Sequence, residues 1–473
     1  MSTFQEAVRL LCESDEPDDI VRACMYIQKV DVLSRCRVVW EQLGFKVLPR
    51  LLSILADPPV NDGEDWLIYW AIMAVKNVCL LPSVMRLAIR LGALGIVSKW
   101  IDVINQTITE ASFHALHGIV RRHSRVFEGE DLDRLWTDSR YEGGGLLDDQ
   151  QIGDEFAMVF VKSLQFASDQ LQQSRLSRHP GLLQASLWAT LALIDNWPGP
   201  VALNLARACP LAAALVEHGD PNVDELIIDL VERIVHGVDP ALQADAATLA
   251  RQMVVRLARQ DLGNRAGLEL LLTIMEKFGA VWFWEAGGIK AMANILPFIS
   301  HWEGVYQKAL LTALNMINQH PDGNHAAYEA MVTDGLFRAA SQTLTEELDD
   351  GGMAEIPVRQ ASLEFVDKLI RHSPLPVYKK MQVDVNFVLS LLAQVQPGEE
   401  RAALNKQITD LILWMDSTNR IDLEQIANGS VGRRIAVNIP SGDKAIELAG
   451  KLLKQLKDEQ RSRYLSDEDD AKR

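Results

Sequence analysis

The chain has 473 residues, 48% hydrophobic and 23% charged, a balance that excludes disordered, collagenous and low-complexity classes for its body. Lys and Arg number 47 against 64 Asp and Glu, and the net charge of −17 argues against a protein built to hold nucleic acid or an anionic membrane. The expected partner is therefore another protein, and the cysteines, Cys12, Cys24, Cys36, Cys79 and Cys209, form no Cys-x-x-Cys pair, which disfavours a zinc ribbon or a disulfide framework.

The first thirty residues carry Glu6, Glu13, Asp15, Glu16, Asp18 and Asp19 and lack the apolar run of a secretory signal. No stretch approaches eighteen apolar residues, so no membrane span is expected, and the compartment expected is cytoplasmic, with nuclear as an option. From there on, apolar residues recur at i, i+3, i+4 and i+7 and alternating runs are almost absent, which predicts an all-α fold. The helical stretches read in chain order are Leu43 to Leu55, Leu91 to Ile104, Leu182 to Leu193 and Leu226 to Val235, then Leu268 to Met275, Ala309 to Ile317 and Leu404 to Trp414. Prolines such as Pro58, Pro59, Pro221, Pro321, Pro374 and Pro397 mark the connections, while Pro49 and Pro297 fall inside helical patterns and should occupy a first turn or kink the helix.

Two signatures recur. Gly44, Gly92, Gly287 and Gly335 each precede an apolar stripe, with 48 residues between the first two and again between the last two. A small-small-large motif, read as a helix start, occurs at Ala111, Ala185, Ala266, Ala309 and Ala361. Its intervals are one or two units of about forty residues, the period of helical repeats of the armadillo and HEAT type.

The run Trp70-Ala-Ile-Met-Ala-Val-Lys-Asn77-Val-Cys, followed by Leu91-Gly92-Ala93-Leu94, resembles the end of one armadillo repeat and the glycine turn of the next. Ala185-Ser-Leu-Trp188-Ala-Thr-Leu and Glu285-Ala286-Gly287-Gly288-Ile289 are similar fragments. The resemblance spans roughly residues 20 to 415. It implies a right-handed α-solenoid superhelix of armadillo-like repeats with one continuous core and a long concave surface. Peptide-binding members of that family carry a ladder of asparagines on the last helix of each repeat. Taking Asn77 as reference, the equivalent positions are Gly118, Ala192, Thr273, Met316 and Lys368, so the ladder has a single rung and an adaptor reading basic nuclear-import signals is disfavoured.

Between Glu128 and Glu155 lie ten acids against two bases, with Gly143-Gly144-Gly145 in the middle, and Thr345 to Glu355 holds five acids and no base. Both read as acidic loop inserts in the array of residues 1–420, at about 128–155 and 345–356: solvated loops, or a docking element or lid. His117 to Arg125 is the one dense basic cluster. Beyond the array, 421–465 reads as an irregular segment plus a capping helix, Asp443 to Tyr464, with 466–473 as an acidic tail.

His320-Pro-Asp322-Gly-Asn-His325 reads as a turn rather than a metal site, and no nucleophile or phosphate-loop motif occurs, so neither catalysis nor a cofactor is expected. The candidate partner-binding residues are Asn77, His117, Arg121 and Arg122 in the first half, with Trp284, Asn315, Asn318 and Lys368 in the second. A scaffold or adaptor is the favoured function. An assembly chaperone for a client protein and a subunit of a cytoskeletal or ciliary assembly are the alternatives, the chaperone requiring a broad exposed apolar patch.

Overall fold

The computed structural model of the chain describes residues 3–30, 37–59, 64–101, 103–120, 146–172, 179–196, 202–218, 223–238, 243–259, 265–299, 303–319, 324–345, 355–439 and 441–471. Among these there are helices and turns and no strand, so the fold is all-α. The chain divides into two compact units, Met1–Met253 and Val254–Arg473.

The first unit contains α1 (Thr3–Glu13), α2 (Pro17–Lys29), α3 (Arg37–Ala56), α4 (Glu64–Val78), α5 (Pro82–Arg90) and α6 (Ala93–Ser98). It continues with α7 (Gln106–Val120), α8 (Asp149–Gln172), α9 (Pro180–Asp195), α10 (Ala202–His218) and α11 (Asp224–Gly237), and α12 (Gln243–Leu257) runs over its end. Helices α2, α4, α7, α9 and α11 pack one on the next as a layer, and α1, α3, α6, α8 and α10 form a second layer against them. This is solenoid packing, in which each stripe is buried only against neighbouring repeats. Proline supplies the first turn of α2, α5 and α9, where its missing N–H costs nothing.

The second unit contains α13 (Arg265–Phe278), α14 (Ala280–Glu285), α15 (Gly288–Ile295), α16 (Glu303–Gln319), α17 (Asn324–Thr333), α18 (Leu336–Thr345) and α19 (Ile356–His372). After these come α20 (Leu375–Lys380), α21 (Val385–Ala393), α22 (Ala402–Ser417), α23 (Leu423–Asn428), α24 (Ser430–Ala436) and α25 (Gly442–Ala471). Here the repeat is short, short, long. The long helices α13, α16, α19 and α22 stack in one series and the middle helices α15, α18 and α21 in another. Helix α25 packs on α21, α22, α23 and α24 and covers the end of the array. The core is mostly apolar; its buried polar groups include the Tyr306 hydroxyl, 2.8 Å from Ser362 Oγ, and Arg359.

Several expectations need correction. Gly92, Gly287 and Gly335 do occupy left-handed turns, with φ of 75°, 89° and 90°. Gly44 does not open a helix: it lies inside α3, where a Cβ would come within 2.6 Å of Val84 Cγ2, so its role is close helix packing. The small-small-large motifs at Ala111, Ala185, Ala309 and Ala361 sit one to two turns inside α7, α9, α16 and α19, and only Ala266 is at a start. Their small residues face the core of the last-helix series, which preserves the period but shifts the phase. Leu91 to Ile104 is a turn, the short α6 and a second turn rather than one helix. Pro49 lies inside α3 and Pro297 in a 3-10 turn, Leu296–Ile299.

The first acidic insert ends earlier than its charge suggests. Asp148 Oδ1 accepts from the Gln151 N–H at 2.8 Å and Gln151 Oε1 accepts from the Asp148 N–H at 2.9 Å, a reciprocal cap that starts α8 inside the acidic run. Asp149, Asp154 and Glu155 are therefore helical. At the second insert Thr345 and Ile356 belong to helices, and 346–354 lie outside the described residues. The segment 421–439 is two short helices, α23 and α24, and α25 carries its helical backbone through the acidic tail to Ala471. The turn at 320–323 lies outside the described residues.

Candidate functional site

The last helices of three consecutive repeats in the first unit, α4, α7 and α9, bury one face and leave another free. On α4, Leu67, Ile68, Ala71, Ile72, Ala74 and Val75 are buried, which turns Trp66, Tyr69, Met73 and Lys76 outward at i, i+3, i+7 and i+10. Trp66 is 65% exposed, and Tyr69 meets the rings of Trp66 and Trp70 edge-on, with centroids 6.2 and 5.0 Å apart. On α7 the outward stripe is Glu110, His114 and His117, one turn apart each. On α9 it is Trp188, 38% exposed, whose ring stacks on His117 at 6.3 Å with the planes 30° apart.

Small residues let the stripes approach. A Cβ at Gly118 would stand 3.5 Å from Lys76 Cγ, and one at Gly181 would stand 3.6 Å from Glu110 Oε1, so Lys76 lies against α7 and Glu110 against α9. Burial lowers the Lys76 ammonium below its ordinary range. His114 is also lowered, first by burial and then by the Lys76 charge, with Glu110, 3.7 Å away, opposing. At neutral pH His114 is therefore an uncharged donor and acceptor beside a half-buried cation. Where α4 and α7 begin, Asn105 Nδ2 donates to Asp65 Oδ2 at 2.9 Å, and a shallow depression is lined by Asp65, Trp100, Val103, fully exposed Ile104, Asn105 and Ile108. This surface offers aromatic faces, one cation and imidazoles, the chemistry of holding a polypeptide.

The predicted residues fare unevenly. Asn77 sits on α4, on the side facing α2, and its amide donates to the carbonyls of Ile27 at 2.7 Å and Val30 at 3.0 Å. Both amide hydrogens close the C-terminus of α2, so Asn77 ties two repeats together. Asn294 does the same in the second unit, donating to the Ala258 carbonyl at 2.7 Å. Of the positions equivalent to Asn77, Ala192 and Met316 are buried. His117 is part of the surface just described, while Arg121 and Arg122 lie outside the described residues.

In the second unit Trp284 is half-buried on α14, which packs on α13, α15 and α16 and is not in the last-helix series. Asn315 is exposed on α16, one turn after Leu311, which is 56% exposed; Asn318 belongs to the same helix. Lys368 is exposed on α19 and paired with Glu364 at 3.4 Å. Around them the face is a ladder of charge pairs: Lys308 with Glu276 at 3.0 Å, and Arg371 with Asp367 at 2.6 Å, the guanidinium also lying 5.0 Å over the Trp414 ring. Trp66, Lys76 and the pairing of Trp188 with His117 are not among the residues expected from the sequence. Their signal was there as large or charged residues recurring on the polar side of an amphipathic helix.

No known protein family and no curated protein matches the chain. Among solved structures, SYS-1 aligns over 95% of this chain and 84% of its own at 13% identity with a TM-score of 0.45. An engineered protein aligns over 62% of this chain and 97% of its own, also at 13% identity, with a TM-score of 0.37. Among the described residues no helix is long and apolar enough to cross a membrane.

Proposed function

We propose that the chain is a non-catalytic scaffold or adaptor of armadillo type, in the cytoplasm or nucleus, that seats a segment of a protein partner along its last helices. The observation that carries this reading is the outward surface shared by α4, α7 and α9, where exposed Trp66 and Trp188 flank Lys76, His114 and His117. Exposed tryptophan is costly to leave in water and is the residue most enriched at binding hot spots. Among the described residues, the large exposed apolar side chains away from that surface, Leu146, Met158, Phe298, Leu311, Leu375 and Val437, lie in separate segments of the chain, which supports a few anchors over the broad patch that a client-holding chaperone needs. The net charge of −17 supports a protein partner over nucleic acid or an anionic membrane.

The test is site-specific photocrosslinking in the native cell from position 188 and, as a control, from Met158 on α8 of the other layer. A discrete partner captured from 188, absent from 158, and lost when Trp66 is replaced by Ala supports the reading. Identical products from both positions reject it.

A further inference from the structure

The second unit buries a positive charge that no carboxylate of the described residues pairs with. Arg359 is the largest side chain in the fully buried set, 1% exposed, in the first turns of α19. Of its five N–H donors, one on Nη2 reaches Gln394 Oε1 at 3.0 Å, and Nε is buried without a partner. Gln394 is a neutral acceptor held in turn by the Thr345 carbonyl. The charge that acts on it is another cation: Arg401, half-buried at the N-cap of α22, which spends Nη1 on the side-chain carbonyl of Gln396. Burial first and the Arg401 charge second lower Arg359 to about 10. Glu355, Glu399 and Glu400 are exposed and pair with neither guanidinium.

An isolated buried cation is among the least favourable arrangements in a folded protein, and two of like sign worsen it. Both arginines also stand at the positive ends of long helices, α19 with 17 residues and α22 with 16, where the backbone disfavours a cation and favours an anion. Guanidinium forks match oxyanions, and a phosphate dianion would balance two of them where a carboxylate would balance one. We propose that Arg359 and Arg401 hold one phosphate dianion at the turn between α21 and α22. Arg359 supplies the floor of the site through its free donors, and half-exposed Arg401 and Gln394 form its mouth. The site involves neither the α4, α7 and α9 surface nor any partner protein.

The experiment is calorimetric titration of the full chain with inorganic phosphate at low millimolar concentration, with chloride and acetate at matched ionic strength and pH. One phosphate per chain is expected, with a rise in melting temperature of about 4 °C once phosphate exceeds its dissociation constant twentyfold. Arg401→Gln should weaken binding at least tenfold; as a half-exposed position it leaves the core intact, whereas Arg359→Gln tests the floor if it folds. No phosphate heat with the wild-type chain overturns the proposal. So does an undiminished response in Arg401→Gln, which marks a general salt effect, or an equal response to acetate, which removes the dianion.

Discussion

Three successive repeats of the second unit have the same outline, two short helices and a long one, and in each the short helices meet at a left-handed residue: Gly287, Gly335 and Gln382. Among the described residues of the first unit, 82–120 have that outline, with Gly92 at the corner, while two long helices pack directly in other places, as α3 with α4 and α8 with α9. The outer faces differ too. The α4, α7 and α9 surface of the first unit shows aromatic rings, a half-buried lysine and imidazoles, whereas the long-helix face of the second shows cations and acids paired with one another. Exposed intramolecular ion pairs are worth little, whereas exposed aromatic rings are the groups most enriched at binding hot spots, and that is why the proposed partner surface is placed on the first unit. One stacking rule therefore accommodates two kinds of repeat and two kinds of face, because burial constrains only the inner stripe.

That contrast can be attacked at the corners. The largest effect is expected from Phe283→Ala, which empties the fully buried ring beneath the Gly287-Gly288 corner, where a Cβ on Gly288 would come within 2.3 Å of it. A loss of about 3–5 kcal/mol is expected in urea denaturation. Amide protection should fall in 254–473 more than in 1–253, and an equal fall in both would show that the units are not separately cooperative.

Next, Gly287→Ala should cost about 1–2 kcal/mol from backbone strain alone, since a Cβ there meets nothing within 4 Å. Gly92→Ala should cost more, because its Cβ also stands 3.1 Å from Glu155 Oε1. A double-mutant cycle with Glu155→Ala should bring the two costs together, and additivity would remove Glu155 from the explanation. In the opposite direction, Gln382→Gly relieves a side chain held at φ 54° and should stabilise the second unit by about 0.5–1 kcal/mol in the same assay.

The smallest effect concerns pH. Glu155 reaches from α8 to accept the Gly95 N–H at 3.3 Å, and burial holds its carboxyl above the ordinary carboxylate range, with that hydrogen bond opposing. The folded chain then keeps this proton to higher pH than the unfolded chain. The group's contribution is most favourable below the ordinary glutamate value of about 4.3 and declines as pH rises through the raised one. Glu155→Gln should remove that decline from a plot of unfolding free energy against pH, and parallel curves for wild type and variant would contradict the assignment.

Much of this was readable in advance for identifiable reasons. The helices at 182–193, 226–235 and 404–414 follow from a 3.6-residue apolar period that only a one-sided helix satisfies. Gly92, Gly287 and Gly335 were legible because a left-handed corner needs a residue without a Cβ, whereas Gly44 answers to Val84 forty residues away and Gln382 breaks the pattern. The end of the acidic insert was missed because the charge count hid a cap, Asp148 with Gln151, inside it. Burial also fixes the chemistry of the thiols, pushing Cys24 and Cys79 up to about 12 and Cys209 to about 11, so these cysteines are core packing.

Composition and periodicity by themselves determined that the chain is helical, repetitive and acidic, since each of those properties is local or additive along the sequence. Which polar side chains remain available was decided by tertiary structure alone. Asn77 looked like a ligand-binding rung and is consumed by the carbonyls of Ile27 and Val30, some fifty residues earlier. Lys76, its neighbour, turns the other way over Gly118, and no carboxylate of the described residues pairs with its ammonium. The two differ by one position, about 100° around the helix, and only the packing of α2 and α7 on either side of α4 gives that angle a consequence.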